Sequence, residues 1–225
     1  MKKTIYSLAI VILLYSCKKN VEFFDSWKKD PNFPVTLYAD KITYTSDVKM
    51  YIGQNKITDK NTIDKFIGND TNFEPLNNDD ISTSDLTIHF HSKDSAICTI
   101  LGIELSDYSV QKEANQFLFY SSLYATYEGG QIIRQFIKHT SELIQGPWSW
   151  SLYSYLYFTK EVRVGYGSYT NLEMCFLIYK ISKNYDYSYS RARGIVLNEF
   201  NEEAINTLQL SDTLAVQEFR IRFVK

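Results

Sequence analysis

The chain has little glycine and proline, 9 Gly and 4 Pro in 225 residues. That excludes a linker, a collagen-like repeat and a low-complexity polymer. Basic charge is not in surplus either, with 24 Lys+Arg against 26 Asp+Glu and a formal net charge of -2. A nucleic-acid partner, which needs clustered positive charge to neutralise phosphates, is therefore not expected. No apolar run reaches the roughly 20 residues of a permanent membrane helix. The familiar catalytic signatures are missing: there is no phosphate-binding loop, no Gly-X-Ser-X-Gly elbow and no His-Glu-X-X-His pair, and Gly165-Tyr166-Gly167 lacks the third glycine of a dinucleotide loop.

Aromatic residues are plentiful. Eighteen Tyr and 14 Phe favour strands, where flat side chains fit a pleated, half-buried surface, and a 44% hydrophobic content is enough for a sizeable core. From Val35 onward, short alternating runs are separated by polar turns, the pattern of an antiparallel sheet, sandwich or barrel. Candidate strands are Val35 to Ala39, Val48 to Ile52, Leu86 to His91, Ala96 to Leu101, Asp107 to Gln111 and Gln116 to Ser121. Ser149 to Thr159, Leu172 to Ile181, Ile195 to Leu197 and Ala215 to Val224 follow. Ser92-Lys93-Asp94-Ser95 reads as a hairpin turn. One to three short helices complete the β-rich class. Asn61 to Gly68 has a polar start and a glycine stop, Asn201 to Leu208 is a second candidate, and Gln131 to Gln145 carries a helical stripe ending at Gly146-Pro147. A β reading stays open for the first half of that last segment.

The first 17 residues read as an export signal. Lys2 and Lys3 precede the apolar run Leu8 to Leu14, and Tyr15-Ser16-Cys17 follows it directly. Leu14-Tyr15-Ser16-Cys17 resembles the lipobox of bacterial lipoproteins. That resemblance implies a diacylglyceryl group on the Cys17 sulfur and cleavage before it. The expected organisation is then a cleaved signal peptide (1–16), a lipidated cysteine and tether (17–34), and a single β-rich domain (35–225). Several acyl methylenes, each contributing about 0.8 kcal/mol on burial, would hold the product on a membrane, with the outer membrane of the cell envelope the expected address. Removing Lys2 and Lys3 leaves 22 basic against 26 acidic groups, so the lipid and not the surface charge must do the holding. Asn198-Glu199-Phe200-Asn201-Glu202 and Asp212-Thr213-Leu214-Ala215-Val216-Gln217-Glu218-Phe219 resemble the ending of uncharacterised lipoproteins from the Bacteroidota. This resemblance implies a lipocalin-like β-barrel.

The tyrosines form the most informative cluster. As one strand, Ser149 to Thr159 would put Tyr153, Tyr155 and Tyr157 on one face, with Trp148, Trp150, Leu152, Leu156 and Phe158 on the other. Tyr185, Tyr187 and Tyr189 repeat the spacing. Phenols join a flat apolar face to a hydrogen-bonding tip, which suits sugar rings, peptides or a partner protein; ordinary cross-strand pairing on a sheet surface is the plainer explanation. His89 and His91 alternate on one strand within reach of one ion, but a metal needs further ligands, and the solvated face of an amphipathic strand accounts for both. No metal or other cofactor is expected. Cys98 and Cys175 lie in apolar strands, where a disulfide and two buried thiols are both open readings. The oxygen-rich loops Asn69 to Asn72 and Asn77 to Asp80 lack the EF-hand pattern and read as solvated turns.

These features favour a membrane-tethered, non-catalytic module that binds a glycan, a small apolar ligand or an envelope protein. The alternatives are an envelope hydrolase built on scattered carboxylates and a structural subunit of an envelope assembly.

Overall fold

The computed structural model describes residues 30–74, 78, 86–100, 103–122, 124–127, 132–142, 144–151, 154–185 and 188–225. The segment expected to be a signal peptide, residues 1–16, and Cys17 lie outside the described residues. Fourteen strands are described: β1 (Val35–Thr45), β2 (Lys49–Ile52), β3 (Asn55–Ile57), β4 (Leu86–Ser92), β5 (Ser95–Ile100), β6 (Ile103–Glu113) and β7 (Gln116–Tyr120) come first. Then follow β8 (Tyr124–Tyr127), β9 (Ile144–Ser151), β10 (Ser154–Thr159), β11 (Val162–Ser168), β12 (Asn171–Tyr185), β13 (Ser188–Val196) and β14 (Thr213–Val224). The one described α-helix is α1 (Lys60–Ile67).

Eight strands, β1, β4, β5, β6, β7, β11, β12 and β14, pair in chain order and antiparallel, and β14 returns to pair with β1. The product is a closed, lipocalin-like up-and-down barrel, a topology that leaves no open edge in the ring. Three excursions interrupt the ring. One carries β2, β3 and α1; another carries a separate three-stranded sheet ordered β8-β10-β9; the third carries β13. Strands β12 and β14 outrun the ring, so that β13, β12, β14, β2 and β3 also form a continuous sheet beyond it.

Strand alternation determines which residues fill the interior. On β4, Ile88 and Phe90 point inward, while β7 supplies Phe117 and Phe119. Tyr169 meets Phe90 and Phe117 edge-on at 5.1 and 4.9 Å, the geometry that aligns a positive ring edge with a negative ring face. Strand β12 is buried on both faces. Leu172, Met174, Phe176 and Ile178 join the barrel core, whereas Leu177, Tyr179 and Ile181 join a second core with Phe136, Phe200, Ala204 and Ile205. That is why Met174 to Tyr179 is an unbroken apolar run and not an alternating one.

Helix α1 begins where Asp59 accepts a hydrogen bond from the Thr62 N–H at 2.8 Å, and it stops at Gly68, whose φ of 58° favours glycine. The helix expected across 131–145 is not formed. Only Ile132–Phe136 makes a short 3₁₀ turn, Ile137 then bridges to Phe200, and Gly146-Pro147 lie inside β9. Ile132, Ile133 and Phe136 are all buried, so the second core and the pairing with Phe200 outweigh local helical spacing. The second candidate helix is a 3₁₀ turn over Glu202–Thr207. Ser149 to Thr159 is likewise not one strand, because β9 and β10 are antiparallel partners pairing Ser151 with Ser154. Among the described residues, no helix is long and apolar enough to cross a membrane.

Candidate functional site: a polar groove on the barrel wall

The tyrosines singled out above do not form one ladder. Tyr153 and Tyr187 lie outside the described residues. Tyr155 and Tyr157 lie on β10 with a register shift between them, opposite Ser149 and Gln145 of β9. Tyr185 ends β12 and Tyr189 belongs to β13, opposite Ser188 and Asn184 respectively, so a hairpin separates them. His89 and His91 do share a face of β4, with ring centroids 4.6 Å apart, and His89 Nδ1 is 2.7 Å from the Thr36 hydroxyl. Among the described residues, no group of three or more His, Cys, Asp or Glu side chains is placed to hold a metal ion. Cys98 and Cys175 are separate buried thiols. Burial pushes their pKa values up to about 11 and about 12, so both are held protonated. Asp70, expected in a solvated turn, is buried and lies 3.6 Å from Arg193.

The structure gathers its polar chemistry elsewhere, in a groove of about 350 Å³ on the outer wall where β1, β12 and β14 meet two crossing loops. The loops are joined by Asn198, which is almost fully buried. Its Nδ2 donates to the carbonyls of His139 and Val162 at 2.8 and 2.9 Å, and its Oδ1 accepts from the backbone N–H groups of His139 and Glu199 at 3.2 and 2.9 Å. Every hydrogen-bonding position of the amide is used. The Lys138 N–H to Glu199 carbonyl bond and the Asn201 N–H to Phe136 carbonyl bond complete the crossing.

That clamp puts Glu199 over the barrel wall, with its side chain 11% exposed. The Tyr166 hydroxyl of β11 donates to Glu199 Oε2 at 2.7 Å, and His139 Nε2 and Lys138 Nζ lie 3.5 and 3.8 Å from the same oxygen. Arg220 of β14 approaches Oε1 at 3.6 Å and also lies 3.9 Å from Glu173. Gln116 Nε2 donates to the Tyr166 oxygen at 3.0 Å, which fixes the phenol from its other side. Burial, and then the hydrogen bond to the Glu199 carboxylate, push the Tyr166 pKa up to about 12. The Arg220 guanidinium lies 5.9 Å from the exposed ring of Tyr44.

The chain matches no protein-family model, no curated protein and no solved structure.

A second hollow of about 460 Å³ shares Lys138 and Glu218 with the first and adds Lys49, Phe200, Asn201, Glu202 and Glu203. Glu218 accepts from the Phe200 N–H at 3.2 Å and lies 3.7 Å from Lys49. The two tail segments noted in the sequence therefore meet here: Asn198 and Glu199 supply the clamp and the central carboxylate, and Glu218 ties the following residue to the wall. Tyr166, His139 and Arg220 were not legible as site residues. Tyr166 sits between two glycines, His139 lies within the 131–145 segment whose spacing predicts a helix, and Arg220 alternates unremarkably along β14.

Proposed function

We infer that this chain is an exported, lipid-anchored protein of the cell envelope whose barrel wall binds a polar ligand, a glycan by its chemistry, without transforming it. The anchor rests on the signal layout from Lys2 to Cys17. The binding reading rests on one observation: the central carboxylate of the groove is already engaged by Tyr166, His139, Lys138 and Arg220. A general acid or base must exchange a proton with its substrate. A carboxylate that accepts from Tyr166 and has basic side chains about both oxygens serves better as a scaffold that orients them.

What the scaffold leaves for a ligand is a wall of Arg220 and Lys138 beside the half-exposed Tyr44 ring. Aromatic faces suit the apolar side of a sugar ring, and a few placed donors suit its hydroxyls. A small apolar ligand matches less well, because Phe90, Phe117, Phe119 and Tyr169 fill the described interior of the barrel.

Calorimetric titration with envelope oligosaccharides tests the reading. Saturable binding that weakens about tenfold in Tyr44→Ala, and again in Arg220→Gln, is expected for lost contacts of about 1.4 kcal/mol each. Unchanged affinity in both variants would assign the groove a purely structural role, and release of cleaved sugar would replace the binding reading with a hydrolase. The anchor is tested separately by mass spectrometry of the N-terminal peptide from membranes. A diacylglyceryl-modified Cys17 is expected, and an unmodified thiol or a retained leader removes the anchor.

A further inference from the structure

A third cavity, a cleft of about 530 Å³, lies between the end of α1 and the paired strands β12 and β13. It is lined by Lys65, Phe66, Lys180, Arg191, Arg193 and neighbouring uncharged residues, and no carboxylate is among its described lining residues. Four cationic side chains converge in a protein whose formal net charge is -2. Composition alone does not produce such a concentration.

The register explains the convergence. Lys180 of β12 stands directly opposite Arg193 of β13, and Arg191, two residues away on the same face, stands opposite Ser182. Like charges directly opposed across an antiparallel pair are destabilising, so nothing in sheet pairing favours this arrangement. Two of the cations are tied to their surroundings. Lys180 Nζ donates to the Ile67 carbonyl at the end of α1 at 2.9 Å and lies 5.5 Å from the Phe66 ring centroid. Arg193 lies 3.6 Å from the buried Asp70 carboxylate, which is not among the lining residues. Asp70 Oδ1 is itself held by the Asn72 side-chain amide at 2.8 Å.

We propose that this cleft is a binding site for a phosphate group, carried by a phosphorylated sugar or by a lipid headgroup. A phosphate dianion neutralises converging cations, the two guanidiniums can meet its oxygens in pairs, and Lys180 and Lys65 supply point charges. Phe66 and Ala192 give the cleft an apolar side that a sugar or glycerol carbon would cover. This site shares no residue with the Glu199 groove, so it stands whether or not that groove binds a glycan.

The test uses the purified full chain in detergent, titrated with inorganic pyrophosphate and with a hexose 6-phosphate while backbone amide shifts are followed by NMR. Saturable binding is expected, with shifts confined to the end of α1 and the facing parts of β12 and β13, weakening as salt is raised. Lys65→Gln and Arg191→Gln, from different elements, are each expected to weaken binding about tenfold with the melting temperature unchanged. Titration in the same detergent with dihexanoyl phosphatidic acid, against dihexanoyl phosphatidylcholine, separates the two sources, because an anchored chain would join any vesicle through its own acyl groups. Shifts at the cleft with the former alone identify a headgroup, and binding of the hexose phosphate without them identifies a soluble ligand. Absence of saturable binding by all three phosphates, or affinity unchanged in both variants, overturns the proposal.

Discussion

Replacing Glu199 by Gln tests whether the groove is held together by its central carboxylate. The substitution preserves shape and removes the charge. The Tyr166 bond becomes a neutral one, a loss of about 1 kcal/mol on the difference between charged and uncharged hydrogen bonds. His139, Lys138 and Arg220 lie 3.5 to 3.8 Å away with side chains 24%, 52% and 38% exposed, so each regains water and contributes well under about 1 kcal/mol. The sum is about 2 kcal/mol, or a fall in Tm of about 4–8 °C for a chain of this length. Tyr166→Phe removes the same hydrogen bond from the other side, so the two changes should not add. Urea denaturation of the single and double variants should return a coupling of about 1 kcal/mol. A Glu199→Gln protein as stable as the original, or strictly additive variants, would mean that the carboxylate does not organise the groove.

Two further outcomes follow from the ionisable groups. Neither Cys98 nor Cys175 should react with a disulfide reagent at neutral pH until the protein is unfolded, since both thiols are buried and held protonated; reaction of either in the folded chain would contradict their placement. The Tyr51 hydroxyl donates to Glu202 at 2.7 Å, and that bond, with Lys49 nearby, lowers the Glu202 pKa. A lowered carboxylate pKa contributes stability that is present above the ordinary carboxylate range and is lost as pH falls through the lowered value. Because the Glu202 side chain is 57% exposed, the contribution stays below about 1 kcal/mol. Tyr51→Phe should flatten that part of the acid-stability curve, and an unchanged slope would count against the bond. Tyr166 has the opposite sign: its pKa moves from an ordinary 10.0 to about 12, so its contribution is complete below pH 10 and disappears as pH rises towards 12. Ultraviolet titration of tyrosinate, compared with Tyr166→Phe, reads that window directly.

Where strands had one wet face, their alternation was readable. Leu86, Ile88 and Phe90 on β4 and the closing strand β14 stand where spacing put them. Strand β11 escaped notice because Val162-Arg163-Val164-Gly165-Tyr166-Gly167 mixes two glycines with an inward arginine. Arg163 is tolerated in the interior only because Glu161 accepts two bonds from it at 3.1 Å and the Tyr108 ring lies 4.6 Å away, both supplied by the fold. The β9–β10 hairpin was missed for the complementary reason. The chain reverses between Ser151 and Ser154 with no glycine, proline, asparagine or aspartate at the bend, so nothing local interrupts the run.

The groove was less legible than the barrel because its parts meet through long-range bonds, with Asn198 at their centre. Asn198 has no local partner beyond the Glu199 N–H; its other three bonds go to His139 and Val162, far along the chain. Asn198→Asp isolates that long-range role. The carboxylate keeps the acceptor for the His139 and Glu199 N–H groups but turns an oxygen towards two carbonyls that had received N–H bonds. A buried charge facing unpaired acceptors costs about 3–5 kcal/mol when its surroundings cannot relax, whereas the crossing loops can part and admit water. Loop separation is therefore expected, read as amide exchange at His139 and Glu199 accelerated well beyond that of β12. If exchange rose equally in β12, Asn198 would be supporting the barrel as a whole. If it did not rise at all, Asn198 would not be the joint that brings the carboxylate to its donors.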